Sequence, residues 1–214
     1  MVLKLYGLAF SGNIQRVTVV LHEKQVPYEL VTVDLYKGAH KTPEYLEKHP
    51  FGQIPYLDDD GFILFESRAI ARYIAIKYAD QGTKLIPSDL KGRALFEQAA
   101  SIEKANFDSY ARTIVFEKWA KKLRGLETDE EAVKAAITSL EDKLDVYDKI
   151  LSKQNYLGGD EITLADLFHL PGLDKFGEIG VGYLIENRPN VKRWFEDLSS
   201  RSSWQTVKAD SKLP

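Results

Sequence analysis

Three short stretches carry the residues whose types and spacing could do chemistry. The first is Ala9-Phe10-Ser11-Gly12-Asn13-Ile14-Gln15-Arg16-Val17, where a serine stands between a strand pattern and a helical one. A serine there either caps the helix by accepting from a first-turn amide or gives its hydroxyl proton to a ligand. The second is Phe51-Gly52-Gln53-Ile54-Pro55, which puts a proline at the entry to a strand. Proline cannot donate to a central ladder. One resolution is a cis Ile54–Pro55 bond, which would turn the N–H and C=O of Ile54 toward an extended, peptide-like ligand. The third, Phe65-Glu66-Ser67-Arg68, is a strand-to-helix junction in which Ser67 reads as an N-cap. Free amides, the positive end of the helix dipole and a hydroxyl also make such a junction a carboxylate site. His40-Lys41, just before a short helix, offers donor or cationic groups to a second carboxylate.

Other chemistries find little support. None of the four histidines, His22, His40, His49 and His169, lies in a motif that would set a base beside Ser11. A nucleophilic serine is therefore not expected, whereas a serine that donates to another molecule's thiolate remains open, because helix N-termini lower thiol pKa values. Histidine–carboxylate spacing for a metal and a glycine-rich phosphate loop are both missing from the sequence. With no cysteine, the chain has no disulfide framework, no thiolate zinc site and no sulfur nucleophile of its own. A formal charge of −3 gives no broad attraction to nucleic acid or to an anionic membrane. Hydrophobic content of 44% with 29% charged residues is that of a globular protein, and no apolar run approaches bilayer length. The N-terminus reads as a strand without a basic leader, so a cytoplasmic protein is expected.

Two kinds of element must position these residues. Residues 1–80 alternate strand and helix patterns. Val2 to Tyr6 is a strand, followed by a helix with Ile14, Val17 and Leu21 at helical spacing that ends before Pro27. Tyr28 to Val33 is a β-branched strand, and a short polar helix follows at Pro43 to Lys48. Asp58-Asp59-Asp60-Gly61 joins Ile54–Leu57 to Phe62–Phe65 as a hairpin. A helix from Ser67 to Tyr78 should bury Ala69, Ile70, Tyr73, Ile74 and either Ile76 or the stem of Lys77. This order predicts a mixed four-stranded sheet with helices packed on it. Residues 81–89 read as a linker, and residues 90–214 as an all-α domain. That half begins with a helical segment over Leu90 to Leu123. An apolar stripe then runs through Val133, Ile137, Leu140, Leu144, Tyr147 and Leu151. A capping box lies at Thr163–Asp166, and a helix begins at Pro189 with Val191, Trp194, Phe195 and Leu198.

Taken together, these stretches resemble the glutathione transferase family, and within it the phi class of plants and fungi. The resemblance spans nearly the whole chain: KLYG, the serine before the first helix, HPFGQIP followed at a fixed distance by LFESRAIARYI, YLGGDEITLADLFHL, and RPNVKRWFEDLSSRSS. It implies a thioredoxin-like N-terminal domain, an all-α C-terminal domain and a homodimer. It also implies glutathione as co-substrate, with no metal or other cofactor. Glutathione would pair its backbone with Ile54 ahead of a cis Pro55. Glu66 and Ser67 would take its γ-glutamyl end, while His40, Lys41 and Gln53 would face its glycyl end. Ser11 occupies the position of the phi-class serine that donates to the glutathione sulfur. Phe10, Leu35, Ile114, Phe116 and Trp119 are the candidates for an apolar electrophile pocket, expected between the domains. Tyr6 is read as packing, Asp166 with Thr163 as a folding motif, and Arg68 as a dimer or supporting residue. Gly12 and Thr113 depart from the bulkier residues or proline common in plant members, which bears on pocket shape. The activity implied is conjugation of glutathione to hydrophobic electrophiles, with reduction of organic hydroperoxides by the same thiolate. A non-catalytic, ligandin-type binder of apolar molecules on the same fold is the alternative. A structural domain of a larger assembly is a third reading, disfavoured because the chain stops soon after the helical half.

Overall fold

The computed structural model of the chain describes residues 2–211. Two compact units emerge, one of residues 2–84 with 201–211 and the other of residues Leu85–Ser200.

The first unit is built on a four-stranded sheet in the order β2-β1-β3-β4. β1 (Leu3–Gly7) and β2 (Tyr28–Thr32) run parallel, with Leu3 opposite Tyr28. Their connection is α1 (Gly12–Glu23), which turns Ile14, Val17, Val20 and Leu21 into the core. β3 (Tyr56–Asp59) runs antiparallel to β1 in the centre and pairs with β4 (Phe62–Phe65) at the edge. The Asp-Gly hairpin forms as expected, with Asp60 at φ 55° and Gly61 at φ 87°, the positive pair that a tight two-residue turn requires. β3 starts one residue after Pro55, not at Ile54, because proline has no N–H for the ladder. α2 (Pro43–Lys48) is capped by Thr42, whose hydroxyl accepts from the Tyr45 amide at 3.3 Å. α3 (Ser67–Lys77) follows β4 and packs on α1.

Two details of α3 differ from the sequence reading. Its N-cap is Glu66 and not Ser67, which is the first helical residue. Its buried face is Ile70, Ala71, Ile74 and Ala75; Ala69 and Tyr73 are half-buried, and Ile76 is 65% exposed. Tyr73 and Lys77 turn outward to Asp59 of β3, which accepts from both.

The second unit is helical. α4 (Leu90–Glu103) continues through a π turn at Lys104–Asp108 into α5 (Ser109–Val115), and a second π turn at Phe116–Ala120 leads into α6 (Lys121–Leu123). α7 (Glu130–Leu151) buries Val133, Ala136, Leu140, Leu144, Tyr147 and Leu151. Ala136 thus holds the place in the stripe expected of Ile137, which is half-buried. α8 (Leu164–Leu167), α9 (Leu170–Glu178), α10 (Tyr183–Glu186) and α11 (Pro189–Ser200) complete the unit. At its centre Asp166 is wholly buried. Burial raises its carboxyl, while the Leu157 and Thr163 amides, the Thr163 hydroxyl and the Trp194 indole all donate to it. Asp166 is a structural hub that ties a loop, a helix start and α11 together.

The last helix, α12 (Ser202–Asp210), belongs to the first unit and not to the helical half in which the sequence placed it. It packs on α1 through Trp204 and Val207, each 1% exposed. Its start is held by Glu23, the last residue of α1. The Glu23 carboxylate accepts from Arg201 Nε and Nη2 at 2.6 and 2.8 Å, and from the Ser203 and Thr83 hydroxyls at 2.5 Å each. Among the described residues, no helix is long and apolar enough to cross a membrane.

Candidate functional site

All eight candidate glutathione-site residues lie in the first unit, at the loops and helix starts around the β1 and β3 ends. Ser11 stands at the N-cap position of α1 with extended backbone, φ −72° and ψ 126°. Its carbonyl accepts from the Gln15 amide at 2.9 Å, as an N-cap carbonyl should. Its side chain makes no capping hydrogen bond. The hydroxyl therefore sits half-buried beside the unpaired first-turn amides of α1, at the positive end of the helix dipole. The residues before it form a turn closed by the Ser11 amide donating to the Leu8 carbonyl at 2.9 Å.

The Ile54–Pro55 peptide bond is cis. The β1–β3 ladder ends with Tyr6 opposite Tyr56, so Ile54 precedes the ladder and its backbone lies outside it. Gly7 makes room here: a β-carbon on it would lie 3.5 Å from Ile54 Cβ and collide with the Ile14 side chain. Next to it, the Gln53 carbonyl accepts from the Tyr45 hydroxyl at 2.7 Å, which fixes the turn that carries the exposed Gln53 side chain. Tyr6 stacks on Tyr56 at 4.2 Å between ring centroids, so its ring is packing.

Lys41 is exposed and donates to the Phe51 carbonyl at 3.2 Å. That turn is closed by Gly52 at φ 56°, and a β-carbon there would lie 2.8 Å from both the His40 carbonyl and Lys41 Nζ. Burial, helped by the Lys41 charge, pushes the His40 imidazole below its usual pKa. That shift favours the neutral, hydrogen-bonding form of the ring over the cation. Its buried Nδ1 has no partner among the described residues, nor has that of His49. His49, 2% exposed, stacks on Phe65 at 4.7 Å.

At the third stretch, Glu66 adopts φ 72° and ψ 107°, a conformation costly for a residue with a β-carbon. Its exposed side chain does not cap α3. Ser67 is 6% exposed, and its Oγ accepts from Arg16 Nη1 at 3.1 Å. The same guanidinium nitrogen donates to Asn13 Oδ1 at 2.7 Å. Arg16 is itself 5% exposed. A buried arginine that uses the lone pair of Ser67 leaves the serine proton to donate to an anion, and adds positive charge behind it. Arg16, Tyr45 and His49 escaped the sequence reading as site residues. The available signal for Arg16 was a cation set between the core positions Ile14 and Val17 of α1.

The expected electrophile-pocket residues fall in both units. In the first, Phe10 is half-buried and Leu35 packs against the cluster of Val33, Tyr45 and Tyr56. In the second, Ile114 has no exposed surface. Phe116 is 41% exposed. Trp119 donates to Glu178 Oε1 at 2.9 Å with Lys175 4.5 Å above its ring.

Comparison with known proteins decides the family. Residues 1–76 match the glutathione S-transferase N-terminal domain and residues 99–202 the C-terminal domain. The chain belongs to the glutathione transferase family, in its phi class. It is 47% identical to glutathione S-transferase hmp2 of Hypomyces subiculosus over 99% of this chain and all of that one. It is 43% identical to glutathione S-transferase 3 of Zea mays, over 99% of this chain and 96% of the other. The crystal structure of glutathione transferase F7 from Populus trichocarpa superposes with a TM-score of 0.96 at 40% identity, covering 99% and 100% of the two chains. The chain is accordingly a glutathione transferase with a thioredoxin-like first domain.

Proposed function

We propose that this transferase holds glutathione along Ile54, between Glu66–Ser67 and His40–Lys41–Gln53, and stabilises its thiolate through the Ser11 hydroxyl. The observation that carries the reading is Ser11 itself, a capping residue whose hydroxyl does not cap. In a family that binds glutathione, that hydroxyl is a donor waiting for an acceptor. A thiol of pKa about 8.5 is only a few per cent ionised at pH 7, and lowering it by about two units, equal to about 2.7 kcal/mol, makes most of it thiolate. The proton leaves to solvent, and the sulfur then forms a bond to an electrophilic carbon while the leaving group departs with the bonding pair. Glu66 accepts from the γ-glutamyl amine, and Ser67, backed by Arg16, donates to its carboxylate. His40 and Lys41 serve the glycyl end.

Solved relatives support an electrophile bound as its conjugate: the maize transferase I, 32% identical with TM-score 0.91, was determined in complex with an atrazine glutathione conjugate. For the apolar co-substrate, Phe10, Phe116 and Trp119 keep accessible surface and Ile114 does not. The same proposal takes the active form as a cytoplasmic homodimer. Apolar surface such as that of Phe51, 66% exposed, suits a second copy. Ser11→Ala should raise the pKa of bound glutathione by one to two units and lower kcat/KM at neutral pH at least about tenfold, with KM for glutathione little changed. Ultraviolet titration of the thiolate beside steady-state turnover over electrophiles and hydroperoxides measures this. An unchanged titration would overturn the serine assignment, and tight binding of apolar dyes without turnover would assign a carrier instead.

A further inference from the structure

The mechanism above leaves unexplained how the turn that presents Ser11 is kept in one conformation. That turn runs Leu8-Ala9-Phe10-Ser11 and is closed by a single bond from the Ser11 amide to the Leu8 carbonyl at 2.9 Å. Its middle peptide, between Ala9 and Phe10, takes no part in that bond. A full flip of this unit would need a positive φ at Phe10, which Phe10 does not have and which glycine favours. The motion open to the unit is therefore a tilt, which would shift the Ala9 carbonyl and the Phe10 amide immediately before the serine.

The Ala9 carbonyl does have a partner, 202 residues away in the sequence. Ser211, which follows the last turn of α12, donates its hydroxyl to it at 3.0 Å. The donor is itself held. Trp204 and Val207 are buried in the α12 that packs on α1, and the start of α12 is fixed by three bonds to Glu23, two from Arg201 and one from Ser203. α12 thus spans α1 from its C-terminal residue to the loop at its N-terminus, with one anchor at each end.

We propose that Ser211 is a positioning residue for Ser11: it pins the Ala9–Phe10 peptide and so fixes the serine hydroxyl on the glutathione sulfur. This rests on Ser11 being the thiolate-stabilising group. Ser211 touches no substrate, so its effect passes wholly through the turn. Removing its hydroxyl leaves the proposed glutathione contacts at Ile54, Glu66 and Ser67 untouched, while the Ala9–Phe10 peptide loses the bond that fixes its tilt.

The experiment compares Ser211→Ala, Ser211→Thr, Ser11→Ala and the Ser11/Ser211 double alanine variant. Each is read by thiolate titration of bound glutathione, kcat and KM against pH, and thermal melting. Ser211→Ala should lower kcat about fivefold, the factor set by one hydrogen bond of about 1 kcal/mol. The thiolate pKa should rise with it, while KM for glutathione and the melting temperature hold. Ser211→Thr keeps the hydroxyl and should restore both. The double variant should match Ser11→Ala, since a residue acting through Ser11 has nothing further to lose. A parental titration in Ser211→Ala, or additive losses in the double variant, overturns the positioning role. If Ser11→Ala itself titrates as the parent does, the serine assignment has failed rather than the coupling alone.

Discussion

Replacing Glu23 with glutamine probes the anchor on which the α12 arrangement depends. Glu23 has only 4% of its side chain exposed, and Arg201 has 27%. Burial alone would raise the Glu23 carboxyl. The bonds from Arg201, Ser203 and Thr83 and the Arg201 charge outweigh it, and the group is held below the usual carboxylate value. Breaking a buried ion pair by removing one partner costs about 3–5 kcal/mol. Glutamine keeps one acceptor oxygen, and the Arg201 head retains some water, so the expected loss is about 2 kcal/mol. For a chain of this size that lowers the melting temperature by about 4–8 °C.

The pH dependence has a definite sign. A carboxylate depressed in the folded state contributes stability that is complete above its unfolded pKa, about 4.3, and lost as pH falls through the folded value. The gap between parent and Glu23→Gln should therefore be full at pH 7 and narrow below about pH 4.3, because acid removes from the parent what the substitution has already removed. Melting curves of both proteins across that range make the measurement. A gap of equal size at both ends of the range, or a neutral-pH loss under about 0.5 kcal/mol, would refute the view that an ionised Glu23 clamps α12.

Two further substitutions test the glutathione site. Ser67→Ala removes the donor expected to meet the γ-glutamyl carboxylate and the acceptor that Arg16 uses at 3.1 Å. It should raise KM for glutathione about tenfold, the worth of one hydrogen bond to a charged group, with kcat held within about twofold in saturating kinetics. Gly52→Ala forces a β-carbon to within 2.8 Å of the His40 carbonyl at φ 56°. It should cost about 1–2 kcal/mol in stability from the backbone conformation alone and weaken glutathione binding by moving Lys41, both read from melting curves and isothermal titration.

Local signals made most of the fold legible. The Asp60-Gly61 turn, the capping box at Thr163 and the stripe down α7 each depend on residues within a few positions of one another. What stayed hidden depends on distance. α12 looks like the end of the helical half until Arg201 and Ser203 meet a carboxylate 178 and 180 positions earlier. The burial of Arg16 follows from Ser67, 51 positions on. Glu66 displaces Ser67 from the N-cap because it takes up a positive φ that its residue type gives no reason to expect. The candidate glutathione-site residues came from resemblance, since no spacing rule alone links Ser11 to Ile54 or Ser67.

The first unit treats its helix starts unequally: α12 has no side-chain cap because Arg201 turns to Glu23 instead, while α1 and α3 are uncapped where the ligand is proposed to lie. α2 is capped in the ordinary way by Thr42. α1 begins at Ser11, which has the side chain to cap and does not use it, and α3 begins at Glu66, strained and likewise uncapping. An unused cap forgoes about 1 kcal/mol, and a residue forced to positive φ costs about 1–3 kcal/mol. A fold under selection for stability alone would have little reason to keep both. Together they leave two sets of helix-start amides, with the Ser11 and Ser67 hydroxyls beside them, available to a bound anion. A thiolate and a carboxylate within one extended ligand are what such a pair of helix starts can stabilise.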